Sequence, residues 1–368
     1  FGAISFSRGC STIDPEKCRN CGMCMDACPY HAIVRLNVPC EAACPVRAIH
    51  KGNKGRAEID FEKCTSCGRC MRACPFGAVM ERSEVLPVLR ALASGRHVTA
   101  LMAPAIVGQF PGGPARIVTA LRRLGFSDVM EVALGADVTS QREAAEFVER
   151  MERGDTFMTT SCCPAYVEAV RRHAPELLPH VSETATPMHY TAEIARERHP
   201  DTVTVFIGPC VAKKKEFQLG RTMNAIDCVL TYEELTEWFE AAGIVPEKKL
   251  DKTEESLARF FPTTGGILKT MQKNMRPDYT YLAVDGVENC MAALHDIEEG
   301  NIEHCFIEMS ACAGSCIGGP VMEKYHRMPV RDYYAASVRA FTIPGINDGM
   351  IHQGLAYDSE NGEFLITG

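Results

Sequence analysis

From residue 84 onward, short apolar runs alternate with longer segments whose apolar residues recur every three or four positions. The runs at 97–107, 129–134, 156–160, 202–207, 228–230, 281–284 and 305–307 predict strands. The segments at 114–124, 140–153, 165–172, 232–242 and 287–294 predict helices. In the second of these Ala144, Phe147, Val148 and Met151 form one apolar stripe. Pro114 opens the first, and Gly125 and Gly243 close two of them. Such alternation predicts an α/β domain over 84–368, with parallel sheets flanked by helices. We expect two lobes dividing near residues 180–200. The charged stretch 246–256 reads as a surface excursion.

Residues 1–83 lack that alternation and are dense in cysteine, which predicts a small α+β iron–sulfur domain of ferredoxin type. Cys18-x2-Cys21-x2-Cys24-x3-Cys28-Pro29 is repeated as Cys64-x2-Cys67-x2-Cys70-x3-Cys74-Pro75. In such runs three close cysteines hold one 4Fe–4S cube and the fourth reaches the other. A zinc ribbon, built on two separated CxxC pairs, does not account for two four-cysteine runs. A half-motif, Pro39-Cys40-Glu41-Ala42-Ala43-Cys44-Pro45, intervenes, and Cys44 to Cys64 keeps the gap expected between paired runs. One cube is therefore assigned Cys18, Cys21, Cys24 and Cys74. The other takes Cys64, Cys67 and Cys70, with Cys44 or Cys28 as fourth ligand. Cys10, Cys40 and the unused cysteine would support a third cluster, or are free thiols.

Composition narrows the setting. The chain has 368 residues, 19 cysteines and a net charge of −8, without a long basic block, which argues against nucleic-acid binding. No apolar run is long enough to span a bilayer. No signal peptide is visible, and Phe1 suggests trimming at the start. An odd cysteine count with cluster-like spacing predicts a reducing, anaerobic cytoplasm rather than a disulfide framework. No GxGxxG opens a helix after a strand, so no nicotinamide or flavin site is expected.

Three later loops carry the chemistry: Thr160-Ser161-Cys162-Cys163-Pro164, Gly208-Pro209-Cys210-Val211-Ala212-Lys213-Lys214-Lys215-Glu216, and Glu308 to Pro320 with Cys312 and Cys316. Each follows a predicted strand, where open parallel sheets place ligand sites. Four thiolates suffice for one 4Fe–4S cube. Cys228, Cys290 and Cys305 sit in or beside apolar elements and read as packing residues.

The three loops, in this order, resemble the signature loops of FeFe hydrogenases. The resemblance spans roughly residues 84–350. It implies that Cys163, Cys210, Cys312 and Cys316 hold the cube and that Cys316 bridges it to a two-iron subsite with CO, cyanide and azadithiolate, together the H-cluster. It further implies proton transfer through Cys162, a hydrogen bond from Lys213 to a cyanide, and orientation of Lys213 by Glu216. Ser161, Pro209, Ser310 and Gly265 would line the cofactor. H2, protons, a ferredoxin-like electron carrier and maturation proteins are the partners implied. Lys214 and Lys215 are expected to be solvated. Gly208 and Ser310 stand where well-studied members carry Met, and Tyr166 where Trp is usual. Arg142 falls where a proton-relay glutamate is expected; Glu143 or Glu146 would substitute, with Thr186 supplying a hydroxyl. These departures point to a divergent branch, and leave open a low-turnover hydrogen sensor or a non-catalytic iron–sulfur relative.

Overall fold

The computed structural model describes residues 2–7, 10–14, 16–19, 21–33, 38–52, 56–110, 114–216, 225–246, 257–300, 304–322, 355–358 and 363–366. The expected excursion at 246–256 lies, beyond Pro246, outside the described residues.

Short elements carry the cysteine-rich region: hairpin strands β1 (Ile4–Ser7) and β2 (Cys10–Ile13), helices α1 (Met23–Asp26) and α2 (Pro39–Ala42), hairpin strands β3 (Ile49–Lys51) and β4 (Ala57–Ile59), and helix α3 (Arg69–Ala73). Each short helix runs into a Cys-Pro turn, at Cys28, Cys44 and Cys74. Helix α4 (Val85–Ala93) then leads into the larger region.

Two parallel sheets form that region. One has the order β6 (Asp128–Glu131), β5 (Val98–Met102), β8 (Val203–Gly208), β9 (Cys228–Thr231). The other has the order β10 (Thr280–Asp285), β11 (Cys305–Ser310), β7 (Phe157–Thr159). β5, β8, β9 and β11 are buried along their whole length, so their continuous apolar runs mark strands covered on both faces. Between the sheets lie helices α6 (Ala133–Arg153) and α8 (Pro187–Arg198), packed on each other. Met188, Ala192 and Ala195 of α8 join the core of the first sheet, whereas Ala144, Phe147 and Met151 of α6 join Met158 and Phe306 of the second.

Helices α5 (Pro114–Arg123), α7 (Pro164–His173), α10 (Tyr232–Ala241) and α12 (Val287–Glu298) fall where the pattern predicts helices. Pro164 and Pro187 open α7 and α8 at a position where a missing N–H costs nothing. Thr231 and Glu234 form a capping box on α10. Helices α9 (Ala212–Glu216) and α11 (Gly266–Met271) are short.

Three expectations change. The run 97–107 is a strand only to Met102: Ala103 makes the last ladder bond, to Ile207, and Pro104 has no N–H to continue. The run 129–134 stops pairing at Glu131, and the helix begins at Ala133, well before Ser140. The sheets also do not divide at 180–200. β7 precedes that point yet lies beside β11, and β8 follows it yet lies beside β5.

Candidate metal centre

The ends of β7, β8 and β11 bring the three loops together. Cys162, Cys163, Cys210, Cys312 and Cys316 line one cavity, walled by apolar groups including Ala103, Val132, Met188 and Ile267. Cys316 has substantial accessible surface but is enclosed by protein, so that surface faces the cavity. Burial pushes the Cys210 and Cys316 thiols up to about 12, and neighbouring cysteines add to the rise. Cys312 is also raised well above its ordinary range, by burial and then by Cys163, Cys210 and Cys316. The Ala311 N–H donates to Cys163 Sγ at 3.4 Å. Four crowded thiols, of which Cys210, Cys312 and Cys316 are costly to ionise alone, fit a group whose iron charge offsets four thiolates.

Cys162 has different company. Its sulfur lies 3.8 and 3.9 Å from the two carboxylate oxygens of Glu143. Glu143 is fully buried on the inner stripe of α6, and the Ser161 N–H donates to it at 3.1 Å. Burial pushes its carboxyl up to about 7. Burial, then the Glu143 charge, raises the Cys162 thiol well above its ordinary range. Of the two substitutes anticipated from sequence, Glu143 is the one at Cys162. Glu146 pairs with Arg150 at 2.7 Å and accepts from the Ser182 hydroxyl at 2.7 Å. Arg142 turns away, lying 4.4 Å above the Tyr190 ring and donating to its hydroxyl. Thr186 does not reach Glu143; its hydroxyl donates to Glu216 at 2.7 Å.

Lys213 and Glu216 form a buried pair at 2.5 Å, and Lys213 also donates to the Cys162 carbonyl at 3.3 Å. Burial alone would lower the lysine pKa, but the Glu216 charge and hydrogen bond hold it above the ordinary range. Lys214 and Lys215 are not simply solvated: Lys214 is buried against Glu234 and the Arg82 carbonyl, and Lys215 pairs with Glu168.

Pro209 and Ser310 line the cavity, whereas Ser161 and Gly265 do not. Gly265 and the start of α11 are held by Glu308, whose carboxylate accepts three N–H bonds at 2.9–3.1 Å. Sequence reading gave Glu308 no role. Asp285 similarly ties the Gly314 N–H, at 3.1 Å, to the Thr264 hydroxyl. Gly208 is needed for space: a Cβ there would sit 2.5 Å from the Phe206 ring, which itself walls the cavity.

A second cavity, of ≈390 Å³, is lined by Cys44, Cys64, Cys67 and Cys70. Burial raises the Cys67 thiol, with Cys44 and Cys64 adding repulsion, and pushes Cys70 up to about 11. Of the two alternatives for the fourth position, Cys44 is therefore the one beside this set. Cys67 lines both cavities. Gly68 packs the two regions together, since a Cβ there would lie 2.5 Å from Pro320. Arg72 donates to the Gly318 carbonyl, and Arg69 pairs with Glu288.

Among the described residues, no helix is long and apolar enough to cross a membrane. The family model "Iron only hydrogenase large subunit, C-terminal domain" matches residues 96–320, and "4Fe-4S binding domain" matches 11–34 and 57–80. Iron hydrogenase 1 of Clostridium pasteurianum is 29% identical over 376 residues, covering 84% of this chain and 64% of that protein. The Periplasmic [Fe] hydrogenase large subunit of Nitratidesulfovibrio vulgaris is 31% identical over 307 residues, covering 66% of this chain and 73% of that one. Shorter similarity reaches the cytosolic Fe-S cluster assembly factor NAR1 of Kluyveromyces lactis, 26% identical over 106 residues, 29% of this chain and 23% of that protein. An apo FeFe-hydrogenase HydA1 variant of Chlamydomonas reinhardtii shares the fold, with a TM-score of 0.55 and 22% identity over 70% of this chain and 88% of that one. Because the first family model takes in more than half of its residues, the chain belongs to the iron-only hydrogenase large-subunit family, with iron–sulfur binding domains ahead of the hydrogenase region.

Proposed function

We propose that this chain is an FeFe hydrogenase, interconverting H2 with two protons and two electrons. Cys163, Cys210, Cys312 and Cys316 would hold the 4Fe–4S part of the H-cluster, with Cys316 bridging to the two-iron subsite. When bound, that cofactor supplies the redox chemistry and the cleavage of the H–H bond. The chain supplies proton handling, charge and insulation from water.

The observation that carries this reading is the contact of the Cys162 thiol with Glu143. A plain iron–sulfur cube needs neither group. A carboxyl held near 7 is matched to proton transfer near neutrality. Ser182 is near enough to Glu143 to favour its ionised form, and its hydroxyl donates to the partly exposed Glu146 at 2.7 Å. Cys162, Glu143, Ser182 and Glu146 thus make a proton path from cavity to surface. Lys213, kept charged and aimed by Glu216, offers a donor to an anionic ligand in a dry pocket.

Electrons would enter through a cube on Cys44, Cys64, Cys67 and Cys70, since Cys67 borders both cavities. A further cube on Cys18, Cys21, Cys24 and Cys74, and a ferredoxin-like carrier, would lie upstream. Loading of the two-iron unit calls for maturation proteins.

A second reading, a low-turnover hydrogen sensor, is favoured by Gly208 and Ser310 in the signature loops. H2 evolution from reduced methyl viologen, by protein carrying an installed two-iron cofactor, separates the two when run beside Cys162→Ala. Fast evolution lost in the variant supports the hydrogenase. Slow evolution that ignores the substitution supports the sensor. No evolution despite bound CO and cyanide infrared bands overturns both in favour of a non-catalytic iron–sulfur protein.

A further inference from the structure

Glu168 sits where three segments meet. It lies on α7, five residues after Cys163, and is buried. Arg171 donates to its carboxylate twice, at 2.7 and 2.8 Å. Arg172 donates to it at 2.9 Å, and Lys215 at 3.0 Å. Lys215 belongs to α9 and follows Cys210 by five residues. Burial alone would raise the Glu168 carboxyl, but the bonds from Arg171, Lys215 and Arg172 bring it down to about 2. One acid thus gathers three cations through charge-assisted bonds, which are stronger than neutral ones.

The far side of this cluster meets the cysteine-rich region. Arg172 also donates to the Phe61 carbonyl. Next to it, His173 Nε2 lies 2.9 Å from the Lys63 carbonyl. A carbonyl only accepts, so that nitrogen carries the hydrogen. Phe61 and Lys63 form the turn closed by the Cys64 N–H, which donates to the Asp60 carbonyl at 3.0 Å. Phe61, Cys64 and Lys215 all line the second cavity. The Arg172 side chain is 11% exposed and that of Arg171 47%, so Arg172 is the one enclosed at the junction. Without the carboxylate, its guanidinium would be left enclosed and unpaired, which is costly.

We propose that Glu168 is a positioning residue for electron transfer: by gathering Arg172 and Lys215, it fixes the turn ahead of Cys64 against the helices that follow Cys163 and Cys210, and so sets the separation of the two clusters. Electron transfer falls steeply with distance, so this separation governs how fast the inner cube is reduced. The proposal rests on the reading that both cavities hold cubes.

The test is electron paramagnetic resonance on the full chain, reconstituted with iron and sulfide but without the two-iron unit, and fully reduced. Neighbouring reduced cubes split each other's signals. One cube's signal is the one lost in Cys210→Ala, and the other's is the one lost in Cys64→Ala. Glu168→Gln and Arg172→Ala should lose the splitting between these two while both signals persist, which also shows that the variants are folded and loaded. Arg171→Ala removes the same charge and a bond to the same carboxylate, but not the reach to Phe61; it should keep the parent's splitting. Splitting retained in Glu168→Gln and Arg172→Ala overturns the proposal. So does equal loss in Arg171→Ala, because charge or a loosened α7 would then be responsible. Loss of either signal in Arg172→Ala also overturns it, since the arginine would then hold a cluster rather than space two of them. Two parent signals without splitting leave no separation for Glu168 to set, and refute it as well. If the parent has no signal that depends on Cys210, or none that depends on Cys64, the cube reading itself is wrong and the proposal falls with it.

Discussion

The two cysteine cavities share a donor chemistry and are built in opposite ways. The outer one takes Cys64, Cys67 and Cys70 from a single short run and Cys44 from the turn after α2. Its supporting helices α2 and α3 have four and five residues, too short to persist without packing or a ligand. The inner one draws Cys163, Cys210, Cys312 and Cys316 from three loops far apart in sequence, each seated on a buried strand. The outer site therefore depends on its cluster for its shape, whereas the inner site depends on its sheets.

Iron removal is the strongest way to break that contrast. After chelation, amide exchange in 38–74 should rise by roughly a thousandfold, because metal binding there is folding energy. β5, β8 and β11 should keep their protection. Equal loss in both regions would contradict the contrast.

Glu143→Gln comes next. It should lower H2 evolution by about 100-fold or more while leaving iron content intact, as expected for a lost general acid–base group. Activity close to the parent's would remove Glu143 from the proton path.

The same residue makes the inner region sensitive to pH. Burial raises the Glu143 carboxyl from 4.5 to about 7, so the folded chain favours its protonated form. The associated stability is complete below pH 4.5 and is lost as pH rises through about 7, by an amount on the order of 3 kcal/mol. The Tm of Glu143→Gln should therefore fall less than the parent's over that interval. Parallel curves would refute the assignment.

The smallest effect is expected at the seam. Gly68→Ala places a β-carbon against Pro320 and Val211 at a φ of +76°. It should cost about 1–3 kcal/mol and slow reduction of the inner site by an external donor. An unchanged Tm with unchanged electron entry would mean that the two regions are not held together there.

Much of this arrangement was legible in the sequence, and the failures have local causes. The stripe through Ala144, Phe147 and Met151 extends back to Glu143 and not to Arg142, so helical period alone points to the right side chain. Matching of loop motifs pointed to position 142 instead, and a one-residue shift rotates a helical side chain by about 100°. Lys214 looked solvated because Glu234 and the Arg82 carbonyl, its partners, are remote in sequence. Glu308 drew no role from the sequence because its partners, the first N–H groups of α11, are likewise remote in sequence.

By itself, the sequence determined the cluster chemistry, most of the strands and helices, and the placement of each cysteine loop just beyond a strand. Those features follow from ligand spacing, apolar period and turn residues, all of which act over a few positions. The tertiary structure alone decided which loops meet, that the two sheets interleave along the chain, that Cys44 joins the outer set, and that Glu143 faces Cys162. These depend on pairings such as Phe157 with Cys305 and on the packing of α6 against the second sheet, where the partners are brought together by burial of apolar surface and not by proximity in the chain.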